Sequence, residues 1–466
     1  MDIWILASTF GLVQYVHEEM KGYRLYTVVP RLCDFIDQLT NWYVRLNRDR
    51  FKGTLGTEQA ILGLNVLFEV LFTMSVVMAP FTPYFSEYTY QYLRRVCPLY
   101  GNTDSRVPVD SVGKAESVHY LMLPEINESR INERAEARFK TLQVAVSLCR
   151  LARERRKMRS NLPLKNVLVV CANESDKEAL MYLQSYFTTE INAWNIELST
   201  DTNLCALKAI PDFKTLGARC GKKMKDVTKA INELTQDQIL AFMKSGTIRL
   251  CDFDFTTDDL VVKRQFSGDS KIYEAAGSDD GSLVCAVDTR VDEEMMQELR
   301  ASTLAATVQK MRKSAGLVVG DVVEIFYEEK GDVLANALCK HAASTIGRIK
   351  CFPLPATYMP KHSTIVIQEK VNDPDLGKSP VTISLTRPNI SVDTNTVASL
   401  VGGDSTKIDL LTHYLQTMEF DRASGASDIK VTVDGTSVGL LKGTHFYSNA
   451  NEMIKNLPNI PESLKF

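Results

Sequence analysis

The sequence predicts a multidomain chain: an all-α helical bundle, then an α/β (α+β) domain, then one or two small β-grasp (ubiquitin-like) modules. Three observations carry this. Apolar residues recur at helical spacing, without strand-like alternation, over the first 128 residues. From Asn166 short β-rich runs alternate with helical segments. After residue 350 short strands dominate and helices are few. The corresponding domains are 1–128, a basic junction helix over 129–165, then 166–350 and 351–466.

In the bundle, residues 2–20 carry Leu6, Phe10, Val13 and Met20 on one face. Residues 24–52 carry Leu25, Leu32, Phe35, Leu39 and Leu46, which predicts one continuous helix. A helix over 58–79 is expected after a Thr57 cap, with Glu58 in its first turn. Its apolar run is broken by Glu69 and ends at Pro80, so it reads as a buried helix and no membrane span is expected. Thr82-Pro83 starts a further helix that Cys97-Pro98 ends. Short loops make an up-down bundle the natural packing. The polar, Gly/Pro/Ser-rich run 98–118 is a linker.

A helix over 129–159 follows, with Ala135, Phe139, Leu142, Val146 and Cys149 on its apolar stripe. "NVLVVCA" reads as a strand, 176–189 as a helix and "NIELST" as a strand. "DFKTLGARCGKKMKDVTKAINEL" reads as a basic amphipathic helix and 236–244 as a short one. "TIRLCDFDF", "LVCAVDT" and "DVVEIFY" are strands, and 291–314 and 333–347 are helices. "STIVIQEK", "PVTISLTR" and "IKVTVDG" are the strands of the last segment, with helices over 406–417 and 449–456.

Net charge is −3 over 466 residues, so a polyanion site has to come from local clustering. The ten cysteines contain no C-x-x-C pair and none lies near a histidine at ligand spacing, so no metal site is expected. They read as reduced thiols of a cytoplasmic protein. Walker, G-x-G-x-x-G, G-x-S-x-G and H-E-x-x-H patterns are absent, and no catalytic residue set is found. "KMRKS" (Lys310 to Ser314) imitates a phosphate-binding synthetase loop, but its apolar partners Leu304, Val308 and Met311 mark the end of a helix.

Two clusters remain. On the 24–52 helix, Gln38, Asn41, Arg45, Arg48 and Lys52 share the arc beside the apolar one, with Trp42 on the border. Trp42 is either an edge-of-core residue or a ring on which a base stacks while the cations neutralise phosphates. From Arg130 to Lys165, eleven basic residues face three acidic ones, which points to an anionic partner or to a solvated helix end. Lys222, Lys223 and Lys225 make a weaker third cluster.

The stretch from "DIWILASTFGLVQYVHEEMKGYRLYTVVPRL" to "NWYVRLNRDRFKG" resembles the start of the anticodon-binding domain of eukaryotic-type cytoplasmic isoleucyl-tRNA synthetases, which are class I enzymes. "VVMAPFTPYFSEYTYQYL", "SVHYLMLPE", "LPLKNVLVV", "PDFKTLGARCGKKMKDVTKAI" and "TVQKMRKSAGL" continue the likeness in order. The resemblance implies a C-terminal, non-catalytic, tRNA-binding fragment. It needs no cofactor of its own; ATP would be used by the full enzyme. The partner implied is tRNA(Ile), held at its anticodon stem-loop. Site residues expected are Asn41, Trp42, Arg45, Arg48 and Lys52 on the bundle, and Arg153, Arg156 and Arg159 on the junction. Asn41 would bond a base or a 2′-OH, Trp42 would stack, and the cations would hold phosphates. The alternative is a protein-interaction scaffold, with 351–466 docking other translation proteins.

Overall fold

In a computed structural model the described residues are 1–97, 100, 111–211, 224–250, 253–256, 259–318, 320–377, 379–457, 460, 461 and 464. The linker and the basic segment holding Lys222 and Lys223 fall largely or wholly outside them. Two compact units form. One comprises 1–157 and 166–288, the other 158–165 and 289–466.

The first unit opens with the bundle: α1 (Asp2–Lys21), α2 (Leu25–Gln38), α3 (Arg48–Phe51), α4 (Thr57–Met78) and α5 (Pro83–Leu93). Apolar faces meet inside, with Ile5, Val13, Val28, Phe35, Val70 and Tyr90 buried. Two expectations need correction. The 24–52 helix is interrupted by a π-helical turn over Leu39–Val44 and a break at Asn47. Thr57 does not cap α4; Gly56, at φ 101°, precedes it and Thr57 is its first residue. By length and composition α4 could cross a membrane. Its C-terminal half is packed in the bundle, with Val70, Phe72, Met74, Val76 and Val77 buried.

Helix α6 (Glu133–Arg155) begins at Asn132, whose side chain accepts the Ala135 N–H. It stops four residues short of the expected end. The apolar stripe runs out at Ala152, and Lys157 takes a left-handed conformation at φ 53°. This helix is no free connector. Its stripe residues Phe139, Leu142, Val146 and Cys149 are buried, and it packs against α1 and against strands β7 and β8 described next.

The sheet has the order β2-β1-β8-β7, from β1 (Leu164–Cys171), β2 (Ala193–Ser199), β7 (Tyr273–Gly277) and β8 (Leu283–Asp288). β8 runs antiparallel to β1 and β7 and is buried along its whole length, which its unbroken apolar run predicts. The 176–189 helix divides at Leu183 into α7 (Glu174–Tyr182) and α8 (Gln184–Ile191). β3 (Cys205–Pro211) and β6 (Leu260–Phe266) form an antiparallel ribbon, and β4 (Thr247–Leu250) and β5 (Phe253–Thr256) form another.

In the second unit, β9 (Glu324–Glu328) lies between β10 (Leu354–Pro355) and β12 (Val381–Thr386), with β11 (Ile365–Val371) outside. This sheet and the helix Glu293–Ser314 share one core. A boundary at 350/351 would cut through it, so the strands of 351–466 do not separate from the segment before them. Residues 390–446 build their own smaller core, with Val397, Leu415, Ile429 and Leu440 buried.

Candidate nucleic-acid interface

The bundle stretch is anchored from inside. Leu32, Phe35, Leu39 and Tyr43 turn into the core. The Tyr43 hydroxyl donates to the Asp2 carboxylate at 2.8 Å, and Arg50 donates to both Asp2 oxygens at 2.8 and 2.9 Å. Burial would push the Asp2 carboxyl up; the bonds from Arg50 and Tyr43 outweigh it and hold the pKa below its usual value. Asn47 is buried and its amide donates to the Tyr43 carbonyl at 2.9 Å, which stabilises the break ahead of α3.

Trp42 sits at the edge of this core. It is half-buried. Its ring meets Phe139 of α6 edge-on, at 5.5 Å and 87°, and the Arg150 guanidinium lies 5.9 Å from its centroid. Arg150 and Arg45 both pair with the Glu190 carboxylate, itself only 8% exposed. Trp42 therefore braces the π turn against α6, and Arg45 is tied to α8. That leaves Asn41, Arg48 and Lys52 exposed. Arg48 and Lys52 have no ion-pair partner among the described residues, while the Asn41 amide makes one long contact, 3.5 Å, to Asp37.

The junction cations are arranged differently. Arg153 is buried, and its guanidinium donates to the Ile191 carbonyl at 2.7 Å, closing the C-terminus of α8. Burial lowers its pKa to about 10. The expectation that Arg153 meets a phosphate is corrected: its guanidinium is spent inside the first unit. Arg156, in the same unit, donates to Glu274 at 2.8 Å and to the Ser270 carbonyl at 2.5 Å. Within the second unit Arg159 pairs with Asp375, and Lys165 pairs with Asp292 at 2.7 Å. Each of the three junction residues is thus engaged by a partner within its own unit.

Lys310 to Ser314 ends the helix Glu293–Ser314, with Met311 buried, as its apolar spacing predicts. The sequence reading missed Phe139, Arg150 and Glu190 as the supports of Trp42 and Arg45. Phe139 was visible as a core position; the Glu190 partnership spans 145 residues and has no local signal.

What this geometry can do is hold a polyanion at a helix turn: two free cations and an amide, on a segment locked to the core by Asp2 and Phe139. Residues 2–168 match the family described as the anticodon-binding domain of tRNA ligase. Over 339 residues the chain is 38% identical to the probable cytoplasmic isoleucine–tRNA ligase of Dictyostelium discoideum, covering 72% of this chain and 30% of that protein. The cytoplasmic enzyme of Arabidopsis thaliana is 34% identical over 451 residues, covering 93% of this chain and 37% of its own length. That of Saccharomyces cerevisiae is 34% identical over 337 residues, 72% of this chain and 31% of the relative. The chain spans about a third of the length of the curated relatives it matches. It belongs to the isoleucyl-tRNA synthetase family, as a C-terminal part of the eukaryotic type.

Proposed function

We propose that this chain binds tRNA(Ile) at the anticodon stem-loop, through the exposed face that carries Asn41, Arg48 and Lys52. The observation that carries the reading is the pair of unpaired cations on a rigid turn inside the segment that matches the anticodon-binding family. Arg48 and Lys52 hold phosphates, and Asn41 bonds a base edge or a 2′-OH. Trp42 supports the turn from behind, and Arg45 does so through Glu190.

The relatives are named isoleucine–tRNA ligases; we further propose that this ligation, with ATP, is not carried out by the residues of this chain. A cytoplasmic location follows from the same relatives' names. Residues 390–446 are proposed as a compact β-grasp-like module. The hairpin of Asp428–Val433 and Thr436–Leu441, packed with helix Ser405–Thr417 in one core, supports this. A scaffold that docks other translation proteins through 351–466 is the second reading, favoured by the separate small core there.

A salt titration of binding to tRNA(Ile) and to a non-cognate tRNA tests the first reading. Affinity falls by about 0.7–0.9 log units per log unit of salt for each phosphate held. No binding to tRNA(Ile) at low salt overturns it. Isoleucine-dependent pyrophosphate exchange by this chain alone would overturn the placement of the ligase activity.

A further inference from the structure

The first unit contains a groove of about 330 Å³ between the β3–β6 ribbon and β7, whose lining, Arg155 excepted, falls outside the stretch that matches the anticodon-binding family. Lys208, Lys263, Arg155, Ile210 and Tyr273 are among the residues that line it. Lys208 and Lys263 stand directly opposite each other in the antiparallel register. Like charges in that position destabilise a ribbon unless an anion lies between them. Lys263 is partly compensated by Asp279 at 2.6 Å, but that carboxylate is 93% exposed. Lys208 is exposed and has no ion-pair partner among the described residues. The carboxylate in the lining, Glu274, is already bonded to Arg156 at 2.8 Å. The groove is therefore electropositive.

Its other wall is aromatic and apolar. Tyr273 is half-buried, with its ring edge-on to Phe266 at 5.6 Å. Phe266 lies so close to the backbone of Gly268 that a Cβ there would come within 2.3 Å of the ring. The glycine allows Phe266 to take this place, and Phe266 fixes the edge of Tyr273. Ile210, on the ribbon, is also partly open to solvent. Two opposed ammonium groups beside a fixed phenol ring and an aliphatic surface match the parts of one nucleotide, a phosphate and a base.

We infer that this groove holds an unpaired nucleotide of bound RNA, its phosphate between Lys208 and Lys263 and its base against Tyr273 and Ile210. The inference rests on the reading that the chain binds tRNA and adds a second contact to it. Arg155, which donates to the Ala275 carbonyl at 2.8 Å, adds a further cation to the lining.

The test uses the full chain, a labelled tRNA(Ile) transcript, a single-stranded oligo-uridine and AMP, read by anisotropy across a salt series. K208Q/K263Q should flatten the tRNA salt slope by about 0.7, the share of one phosphate. The same variant should melt no lower than wild type, because it removes a repulsive pair. Tyr273→Leu should weaken oligo-uridine and tRNA binding severalfold while the slope stays constant. R48Q/K52Q serves as the reference for the bundle face. Wild-type affinity and slope in K208Q/K263Q, with R48Q/K52Q weakened, would overturn the groove and leave the tRNA reading standing. Loss of oligo-uridine binding in the groove variants, with no tRNA binding by wild type, would support the groove and overturn the tRNA reading. AMP binding as tight as RNA would assign the groove to a free nucleotide and overturn an RNA site. Binding of no RNA at all overturns both.

Discussion

The turn Arg48–Lys52 and the stretch Arg153–Lys165 are both rich in cations, yet the structure uses them in opposite ways. The short turn ties Arg50 to Asp2 but leaves Arg48 and Lys52 open to solvent. The longer stretch carries more cations, and Arg153, Arg156, Arg159 and Lys165 each have a protein partner. Charge density in a sequence measures the capacity for polyanion binding. What decides binding is the charge left over after tertiary pairing. An ion pair at the surface contributes little to stability, but it occupies the donor geometry a phosphate would need.

The sharpest way to break this comparison is Arg153→Ala. It leaves the carbonyl at the end of α8 without its charged donor, and should cost about 2–3 kcal/mol in urea unfolding. tRNA affinity per folded molecule should not change. A normal unfolding midpoint with weakened tRNA binding would reverse the assignment. Next, Trp42→Ala should destabilise the first unit by about 2 kcal/mol, below the range for a fully buried tryptophan because the ring is only half-buried. Trp42→Phe should recover part of that loss. If Trp42→Ala instead leaves melting intact and weakens RNA binding, the ring stacks on a base.

R48Q/K52Q addresses the other side of the comparison. Losing two phosphate contacts should reduce the salt slope by about 1.4–1.8 and leave the melting temperature unchanged. The smallest effect on RNA binding is expected from R156Q/R159Q, whose salt slope should match wild type. The Arg156–Glu274 pair contributes about 0–1 kcal/mol, whereas loss of Arg159 leaves the buried Asp375 carboxylate without that partner and costs more. A flattened slope would mean that RNA competes these arginines away from Glu274 and Asp375, and the two regions would then differ in degree only.

The helical framework was legible in the sequence because burial imposes a period. Leu32, Phe35, Leu39 and Tyr43 are buried as their spacing predicts, and so are Phe139, Leu142, Val146 and Cys149. Strands β3, β6 and β7 were not recognised. Lys208 interrupts the apolar run of β3, Lys263, Arg264 and Gln265 interrupt that of β6, and β7 is only five residues long. Of the expected site residues, Asn41, Arg48 and Lys52 are exposed as an amphipathic face requires. The fate of the others depends on partners far along the chain: Glu190 is 145 residues from Arg45, Glu274 is 118 from Arg156, and Asp375 is 216 from Arg159. Period and composition are local quantities and carry no information about such pairings.

The π turn at Leu39–Val44 has one more consequence. A π turn accommodates one residue more than the α-helical path it interrupts. Everything after it is rotated by about 100° relative to a continuous helix begun at Leu25. With Thr40 deleted and the α-helix restored, Leu32 and Phe35 would keep their places while Arg48 and Lys52 swung to a different bearing. The direction in which this face points is therefore set by one residue of chain length together with the break at Asn47.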